Sequence, residues 1–378
     1  MVGVTDPVAA VPVAIVHDYL TQRGGAERVV LAMIEAFPQA PVYTALYHPD
    51  RTFPEFATAD VRTAPLNRVR PFRRDHRLAL PFLALTFSRI DVRADVVLCS
   101  TSGWSQGARV TGRRVVYCHS PARWLYQSDR YLGGFRPVAG PALAVLKYPL
   151  LRWDRAAAAA PGRWLTNSTE VRSRILDVYR REAELVPPPY AVDPSGAVEP
   201  VAKVEPGFFL TVSRLLPYKN VRAVAEAFAR LPEKRLVLVG SGPARRQLER
   251  AAGPNVTLLG SVGDDQLRWL YANCRGLIAA SYEDYGLTPL EGAAFGKPTA
   301  ALRGGGFLDT VREGVTGVFF DRPDPVAIAD AVTRLDAHRW DGDALRAQAD
   351  RFSTRVFVDA LRRIVAEEAA LARPLSTR

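Results

Sequence analysis

Two loops that follow apolar, strand-like runs carry residue types suited to binding phosphate groups. The first, Arg23-Gly24-Gly25-Ala26-Glu27, separates the run Val13–Val16 from a helical pattern that begins at Ala26. Glycines at the start of a helix let backbone N–H groups approach an anion closely. The turn therefore predicts a phosphate contact, with a tight connection that binds nothing as the alternative.

The second loop follows the apolar run Phe208–Val212 and carries two cations, Arg214 and Lys219. An arginine can bind a phosphate through both arms of its guanidinium, and a lysine adds a compact point charge. Their positions between a strand and a helical pattern predict a diphosphate site. Two solvated loop cations are the alternative.

A third segment places two carboxylates, Glu283 and Glu291, eight residues apart across a strand–loop–helix junction. Between them, the backbone N–H groups of Tyr285, Gly286 and Leu287 lie at a predicted helix N-terminus, where the helix dipole favours phosphate oxygens. The carboxylates on either side can accept hydrogen bonds from sugar hydroxyls. Helix capping and surface exposure are the alternative explanation.

These segments must be positioned by a parallel sheet, because the chain alternates apolar strand-like runs with helical patterns. The alternation is interrupted by the Pro- and Gly-rich segment 188–206 and then restarts. We therefore predict an α/β protein with a domain at 1–187, a linker at 188–206 and a second domain at 207–353. Two doubly wound domains joined by a hinge place a ligand cleft between the carboxyl ends of their sheets.

At these motifs the chain resembles the retaining glycosyltransferases of glycosyltransferase family 4. The Glu-x7-Glu pair is the most specific mark of that family, and Ser-Arg-Leu…Tyr-Lys-Asn and Gly-Gly-Ala-Glu match in the same order. The resemblance covers almost the whole chain. It implies the GT-B fold, in which two Rossmann-like doubly wound domains face a central cleft, and a C-terminal helix, 354–378, that completes the first domain.

The resemblance also implies roles for individual residues around the nucleotide. Gly24 and Gly25 would face the donor diphosphate, while Arg214 and Lys219 would neutralise it in the ground state and as a leaving group. Glu291 would bind the ribose hydroxyls. Asp264 or Asp265 would recognise the base, although a helix N-cap explains these aspartates equally well.

Around the transferred sugar, the resemblance implies contacts from Glu283, with the amides of Tyr285 to Leu287 alongside. His119, at the end of a strand in the first domain, would lie near the sugar, with a core or capping histidine as the alternative. The segments His17-Asp-Tyr and Tyr117-Cys-His119-Ser-Pro-Ala-Arg123-Trp resemble bacterial polysaccharide and O-antigen mannosyltransferases. The donor is therefore expected to be GDP-mannose, with a UDP-sugar as the alternative.

The expected reaction moves a hexose from this donor to a glycan or lipid-linked acceptor in cell-envelope polysaccharide or glycolipid synthesis. The resemblance implies front-side attack with retained configuration. No cofactor and no metal are expected, because Arg214 and Lys219 can stabilise the leaving diphosphate electrostatically. The D-x-D spacing of Asp341-Gly-Asp343 lies before a helix and is interpreted as capping.

Three other function classes are weighed against this interpretation. A non-hydrolysing sugar-nucleotide epimerase shares the two-domain fold and stays open as an alternative. A nicotinamide-dependent oxidoreductase would need a G-x-G-x-x-G turn, which the chain lacks. A nucleic-acid-binding protein is not favoured either, because no nucleic-acid module accompanies the basic charge.

The charge of the 378-residue chain, +11 in total, is concentrated in its first half. Residues 1–187 carry 25 Lys and Arg against 16 Asp and Glu, whereas the remainder carries 25 against 23. Five arginines lie between Arg68 and Arg77, beside the apolar run Leu78–Phe87. This cluster predicts peripheral contact with an anionic membrane surface, with a solvated loop before a buried helix as the alternative.

A cytoplasmic protein is expected from three further observations. The three cysteines form no CxxC pair, which suits a reducing compartment. No uninterrupted apolar run reaches the 18 or so residues of a membrane span. The N-terminal residues lack the positive region of a signal peptide.

Overall fold

The computed structural model describes residues 11–127 and 136–372, and for residues 136–145 it describes the backbone alone. The predicted absence of a signal peptide concerns residues 1–10, which lie outside this range, as do residues 373–378 of the expected C-terminal helix. The chain divides into two compact units. The first comprises the described residues up to Pro188 and those from Thr354 onwards, and the second is Pro189–Ser353.

The described part of the first unit is built on a parallel sheet with the strand order β3-β2-β1-β5-β7-β8-β9. A parallel pair formed by β4 and β6 lies apart from it. The strands are β1 (Val13–His17), β2 (Val42–Thr44), β3 (Val61–Thr63), β4 (Asp91–Val92), β5 (Val96–Thr101), β6 (Arg109–Val110), β7 (Arg113–Cys118), β8 (Arg163–Thr166) and β9 (Glu184–Leu185).

Helices cover both faces of this sheet, and the apolar strands are buried on both sides. The helices are α1 (Gly25–Ala36), α2 (Arg70–Arg74), α3 (Leu80–Phe87), α4 (Arg123–Tyr126), α5 (Arg136–Ala159) and α6 (Thr169–Tyr179). Val13 and Ile15 of β1 pack in the same core as α1, and Ala14 and Val16 pack in the core that includes α3, α5 and α6. This is why β1 and β5 have near-continuous apolar sequences without alternation.

The second unit repeats the architecture with the strand order β12-β11-β10-β13-β14-β15, all parallel. Its strands are β10 (Phe208–Val212), β11 (Leu236–Val239), β12 (Val256–Gly260), β13 (Cys274–Ala279), β14 (Thr299–Leu302) and β15 (Gly317–Phe320). Its helices are α7 (Val221–Phe228), α8 (Arg245–Ala251), α9 (Asp264–Asn273), α10 (Leu287–Ala294), α11 (Phe307–Thr310), α12 (Pro325–Ala337) and α13 (Gly342–Asp350).

Each sheet reverses its strand order at a central pair, β1 beside β5 and β10 beside β13. The connections that leave the two strands of such a pair run to opposite faces of the sheet, which opens a crevice at their carboxyl ends. Ligands of doubly wound sheets bind at this position. The two pairs therefore define where functional side chains are expected in each unit.

The last helix, α14 (Thr354–Leu371), returns to the first unit. Its buried residues Leu361 and Ile364 pack in the same core as Val30 and Met33 of α1. Ion pairs also hold it: Arg113 lies 2.8 Å from Glu368, whose side chain is almost fully buried, and Arg163 lies 2.6 Å from Glu367.

The segment predicted as a linker, 188–206, differs from expectation because its residues from Pro189 onwards belong to the second unit. Val201 and Val204 pack against the core beneath β10 and β11. Arg268 of α9 donates hydrogen bonds to the backbone carbonyls of Asp193 and Ala197. Proline and glycine mark irregular backbone here, but the apolar residues between them have a core to pack against.

Two other differences from expectation concern boundaries and short strands. The apolar run Leu78–Phe87 does not form one helix: a 3₁₀ turn, His76–Ala79, ends inside it and α3 follows, because Pro81 is favoured in a first helical turn and excluded from an interior one. The sequence does not predict the strands β14 and β15, because β14 is Thr-Ala-Ala-Leu and β15 begins with Gly317, and alanine and glycine are depleted in strands.

Replacing Leu361 with Ala is expected to destabilise the first unit by about 2–5 kcal/mol, the range for truncating a fully buried leucine. Urea unfolding measures the loss, and hydrogen exchange should locate it in β1, β5 and α1. Arg355→Ala is the matched control, because the side chain of Arg355 is exposed on the same helix. Equal effects of the two substitutions would contradict the assigned packing.

Candidate active site

The candidate nucleotide-binding residues of the second unit lie where β10 and β13 end side by side. Two hydrogen bonds join these ends: the Thr211 hydroxyl donates to the Ile278 carbonyl at 3.1 Å, and the Asn220 amide donates to the Ala280 carbonyl at 2.9 Å. The loop with the two predicted cations is thereby fixed against the loop that contains Glu283.

Two glycines after β11 allow the Arg214 loop to take its course. Gly240 and Gly242 have positive φ angles of 136° and 157°. A β-carbon on Gly240 would lie 1.9 Å from the Ser213 carbonyl oxygen, and one on Gly242 would lie 2.5 Å from that of Leu215. Glycine is therefore required for this close approach of two backbone segments.

Arg214 and Lys219, the two predicted diphosphate ligands, both contact Tyr218. The Arg214 guanidinium donates to the Tyr218 hydroxyl at 3.2 Å, and the Lys219 ammonium lies 5.2 Å from the centre of the same ring. Arg214 is exposed, and Lys219 is largely buried. Tyr218 thus lies between the two cations, a position that strand and charge patterns did not indicate.

Lys219 forms an ion pair with Glu283, so the predicted phosphate ligand and the predicted sugar ligand are in direct contact. The Ser281 hydroxyl donates to the same glutamate oxygen, Oε1. Both side chains of the ion pair are mostly buried, which strengthens their attraction relative to a surface pair. The sequence placed these charges 64 residues apart, and only the pairing of β10 with β13 brings them together.

The turn into α10 depends on Gly286, which precedes the helix with a φ of 85°. A β-carbon there would lie 2.4 Å from the Phe307 ring. The loop is also held from the other side, because the Gly306 amide donates to the Glu283 carbonyl at 2.8 Å. Leu287 is the first helical residue, so the predicted amides of Tyr285, Gly286 and Leu287 do lie at a helix N-terminus.

Glu291 is buried on α10 and accepts a hydrogen bond from the Tyr271 hydroxyl on α9. Burial raises the pKa of Tyr271 well above its ordinary value, so this tyrosine stays protonated and donates. The Tyr271 ring stacks on Phe295 with a centroid distance of 5.4 Å. Sequence analysis did not identify Tyr271, although an aromatic residue on the helix after the predicted aspartates was the available signal.

Asp264 and Asp265 are the first two residues of α9, and the N-cap is Gly263, so the capping alternative is wrong. Both aspartates are exposed. The Asp265 carboxylate lies 2.6 Å from Arg268 of the same helix. Their expected contact with a nucleotide base stays a prediction.

In the first unit, the predicted turn Gly24–Gly25 begins α1, with Gly24 as N-cap. The carboxyl group of Glu27 folds back against Gly24, where a β-carbon would lie 2.6 Å from its Oε2. Burial raises the pKa of Glu27 to about 7. An anion approaching this helix end therefore meets a carboxyl group that is partly neutral at physiological pH, a feature that the glycine pattern alone did not reveal.

His119 takes part in a hydrogen-bonded row with Ser100 and His17 at the carboxyl ends of β7, β5 and β1. Ser100 Oγ lies 2.8 Å from His119 Nε2 and 3.0 Å from His17 Nδ1, and the Ser100 carbonyl lies 3.1 Å from the same Nδ1. A carbonyl only accepts, so His17 Nδ1 donates, and the Ser100 hydroxyl is free to donate to His119. Burial lowers the pKa of His17 to about 4 and that of His119 to about 3, so both rings are neutral.

Asp18, directly after β1, joins the same two strands through backbone contacts. Its two carboxylate oxygens accept from the amides of Ser102 and Ser105, each at 2.7 Å. Burial nonetheless raises the pKa of Asp18 to about 7. Asp18 and Ser100 were not predicted as site residues. The quoted His17-Asp-Tyr motif was the signal that could have drawn attention to the aspartate.

The D-x-D segment is confirmed as a cap: Asp341 accepts from the backbone amides of Asp343 and Ala344 at the start of α13. Within the described ranges, no group of three or more His, Cys, Asp or Glu side chains is arranged to hold a metal ion. The described helices also include none that is long and apolar enough to cross a bilayer.

The basic run between Arg68 and Arg77 spans a 3₁₀ turn, α2 and the turn that leads to α3. Leu78, Phe82 and Leu85 are each about half exposed, whereas Leu83 and Phe87 are buried. Of the alternative, a solvated loop before a buried helix, the buried helix holds for one face of α3 only, and membrane contact stays a prediction. His76, which was not predicted, links this segment to the loop after β1, because it stacks on Tyr19 with a centroid distance of 4.0 Å.

Comparison with known proteins finds a family model that matches part of the second unit. Residues 198–350 match the model of the family described as glycosyl transferases group 1. The chain is 26% identical over 396 residues to alpha-1,3/1,6-mannosyltransferase ALG2 of Homo sapiens, covering 90% of this chain and 92% of that protein. It is 29% identical over 168 residues to O-antigen chain mannosyltransferase C of Escherichia coli, covering 40% and 44%.

The fold is also similar to that of a solved structure, Anabaena Alr3699/HepE in complex with UDP-glucose. The TM-score is 0.67 at 17% identity, covering 94% of this chain and 100% of that chain. With the two doubly wound parallel sheets, this likeness shows the GT-B fold, so the predicted fold class is confirmed. The chain spans less than half of the length of several curated relatives that it matches.

Acidification is expected to reduce the stability that His119 contributes. In the unfolded chain His119 takes up a proton near pH 6.5, whereas in the folded protein it does so only near pH 3. The wild type should therefore lose stability relative to a His119→Asn variant as the pH falls from 6.5 towards 4, by up to about 1 kcal/mol per pH unit. Urea unfolding at each pH measures this difference, in which the contributions of Asp18 and Glu27 cancel. A constant difference would mean that His119 is solvated.

Proposed function

We propose that this chain, which carries a glycosyl transferases group 1 domain, transfers a hexose from a nucleotide-diphosphate sugar to a glycan or lipid-linked acceptor. The observation that carries the proposal is the contact of Lys219, which follows β10, with Glu283, which follows β13 and leads to the N-terminus of α10. Arg214 lies on the same loop as Lys219, and Glu291 lies one turn into α10. Cations, carboxylates and helix-end amides in one crevice are the groups that bind a diphosphate joined to two sugars.

The roles of these residues follow from their chemistry. Arg214 and Lys219 stabilise the negative charge that grows on the diphosphate as it leaves the anomeric carbon. The N-terminus of α10 adds its dipole at the same place. Glu291, oriented by Tyr271, accepts hydrogen bonds from the ribose hydroxyls, and Glu283 accepts from the transferred sugar. His119 near the sugar stays a prediction from the family resemblance.

Mannose from GDP-mannose is the donor group that we favour. The support is the resemblance of the His17 and His119 segments to bacterial mannosyltransferases, together with the two mannosyltransferase relatives of 26% and 29% identity. A UDP-sugar donor in the same crevice is the second candidate. A sugar-nucleotide epimerase would show donor isomerisation without transfer to an acceptor.

Family 4 membership and retention of configuration are part of the proposal. The Glu-x7-Glu spacing of Glu283 and Glu291 supports them, and the acceptor hydroxyl then attacks on the face from which the diphosphate leaves. Metal independence rests on Arg214 and Lys219, whose two positive charges take the place of a divalent cation at the diphosphate. The synthesis of cell-envelope polysaccharide or glycolipid in a bacterial cytoplasm is the proposed setting.

Contact with an anionic membrane surface is the proposed means of reaching a lipid-linked acceptor. Arg70, Arg74 and Arg77 are exposed, and the apolar side chains of Leu78, Phe82 and Leu85 lie next to them in the chain. Exposed apolar groups beside cations suit the interface of an anionic bilayer. Each cation contributes about 1 kcal/mol near such a surface.

Thermal unfolding with a nucleotide panel tests the donor proposal. At a ligand concentration 100-fold above Kd, GDP should stabilise the protein by about 2.7 kcal/mol, more than UDP or ADP at the same concentration. Lys219→Ala should remove most of this gain and reduce turnover about 10²–10³-fold, as expected for one lost electrostatic stabiliser. Arg214→Ala should act in the same direction.

The matched control is Lys203→Ala, which removes an exposed lysine at the amino end of the same sheet. It should leave both the GDP-induced stabilisation and turnover unchanged. A response to UDP alone would overturn the GDP-mannose assignment, and the absence of any response to nucleotides or nucleotide sugars would overturn the proposed function.

Co-sedimentation with vesicles tests the membrane proposal. The wild type should pellet with phosphatidylglycerol vesicles but not with phosphatidylcholine vesicles, and added salt should weaken the binding because it screens the charges. A variant with Arg70, Arg74 and Arg77 changed to Glu should lose this binding while its GDP response is retained. Equal pelleting with both vesicle types, or no effect of the charge reversal, would leave the run as a solvated loop.

A further inference from the structure

A pocket of about 310 Å³ opens just beyond β3, an edge strand of the first sheet. It is separate from the crevice at the central pair β1 and β5. Its volume is at the lower end of the range for small-ligand sites. Thr63, the last residue of β3, begins its wall, and Asn67, Arg68 and Arg73 supply the polar groups. Two guanidinium groups therefore line one small pocket.

The wall of this pocket is held in place by its own contacts. The Asn67 side-chain oxygen accepts from the Tyr47 amide at 2.9 Å, and the Ala64 amide donates to the Thr44 carbonyl at 2.9 Å. These bonds fix the segment between β3 and α2 against the sheet. The pocket is thus a built feature of the fold.

Arg73 is the residue that points to a ligand. Its Nε is buried and, within the described part of the chain, has no hydrogen-bond partner. A buried donor without a partner costs free energy, which an acceptor bound in the pocket would recover. A guanidinium makes its strongest such contacts with the oxygens of phosphates and carboxylates.

The surrounding charge favours an anionic ligand as well. Among the described residues, none of Arg68, Arg70, Arg73 and Arg74 forms an ion pair, whereas many arginines elsewhere in the chain are paired with carboxylates. Four unpaired cations in seven residues repel one another. An anion in the pocket would relieve that repulsion.

We infer that this pocket binds a phosphate monoester or diphosphate group through Arg68 and Arg73. Two guanidinium groups in a pocket of this size match the several oxygens and the charge of about −2 that such a group carries. The phosphate comes either from a lipid head group, since exposed apolar side chains follow at Leu78, Phe82 and Leu85, or from a soluble phosphate compound. The inference is independent of the proposed transfer reaction.

The test in solution is a calorimetric titration with inorganic phosphate and with pyrophosphate. Arg73→Gln should weaken binding at the pocket at least tenfold. Arg74→Gln is the matched control, because it removes the same charge from the next residue in the chain, which is exposed and outside the pocket. The affinity of this variant for phosphate and pyrophosphate should stay within twofold of the wild type. Both variants keep any anion binding near Arg214 and Lys219, so the difference in phosphate affinity between the two variants reports on the pocket alone.

Vesicles distinguish the two sources of phosphate. Phosphatidic acid carries a phosphate monoester and phosphatidylglycerol a diester, so vesicles of each are compared at matched surface potential. Both variants lose part of the general attraction to anionic vesicles, because Arg74 belongs to the proposed membrane surface, so the readout is the ratio of binding to the two lipids. A preference for phosphatidic acid that Arg73→Gln abolishes and Arg74→Gln retains assigns a lipid head group. The same dependence on Arg73 for soluble phosphate, without a lipid preference, assigns a soluble ligand.

Equal losses of phosphate affinity in Arg73→Gln and Arg74→Gln would overturn the inference, because they would show that the overall positive charge, and not the pocket, attracts phosphate. The absence of phosphate binding in both assays would also overturn it. If Arg73→Gln fails to fold, Arg68→Gln takes its place, since Arg68 is exposed and lines the same pocket. If phosphate binds in this pocket but no nucleotide binds to the protein, the inference holds and the proposed function fails. If nucleotides bind but phosphate does not bind in this pocket, the proposed function holds and the inference fails.

Discussion

The pairing of β10 with β13 is the constraint on which the candidate donor site depends. These strands are far apart in the chain but adjacent in the sheet, and their loops leave towards opposite faces. The contacts between the two loops follow from that adjacency: Asn220 reaches the end of β13, and Lys219 meets Glu283. A sheet with another strand order would keep the same motifs and separate their charges.

The contact of Lys219 with Glu283 also explains how the largely buried ammonium group of Lys219 is stabilised. A mostly buried ammonium group pays a large desolvation penalty unless an opposite charge lies beside it. Glu283 supplies that charge, and Ser281 and the Gly306 amide hold the glutamate segment in turn. A diphosphate that enters would therefore share Lys219 with Glu283, so the two residues act as one unit.

In the first unit, the described titratable groups near the pair β1 and β5 are not arranged as ion pairs. His17, Asp18 and Glu27 are buried there and His119 is half-buried, and desolvation moves the pKa of each group towards its neutral form. Ser100 forms hydrogen bonds with both histidines, and the backbone amides of Ser102 and Ser105 donate to Asp18. Beyond the edge strand β3, by contrast, the described residues Arg68, Arg70, Arg73 and Arg74 form no ion pair. The unit thus separates a neutral polar interior from a cationic surface.

Sequence patterns are enough to predict the two parallel α/β units, the break between them and the segments that carry the candidate residues. They are enough because strand and helix periods, glycine turns and charged loop ends are local properties. Only the folding of the chain into these sheets brings distant residues together: Tyr271 with Glu291, Lys219 with Glu283, and Ser100 with two histidines. It also packed 189–206 onto the second unit and placed Arg73 in a pocket. Strand order, burial and the closure of long loops set these contacts, and none of them leaves a periodic signal in the chain.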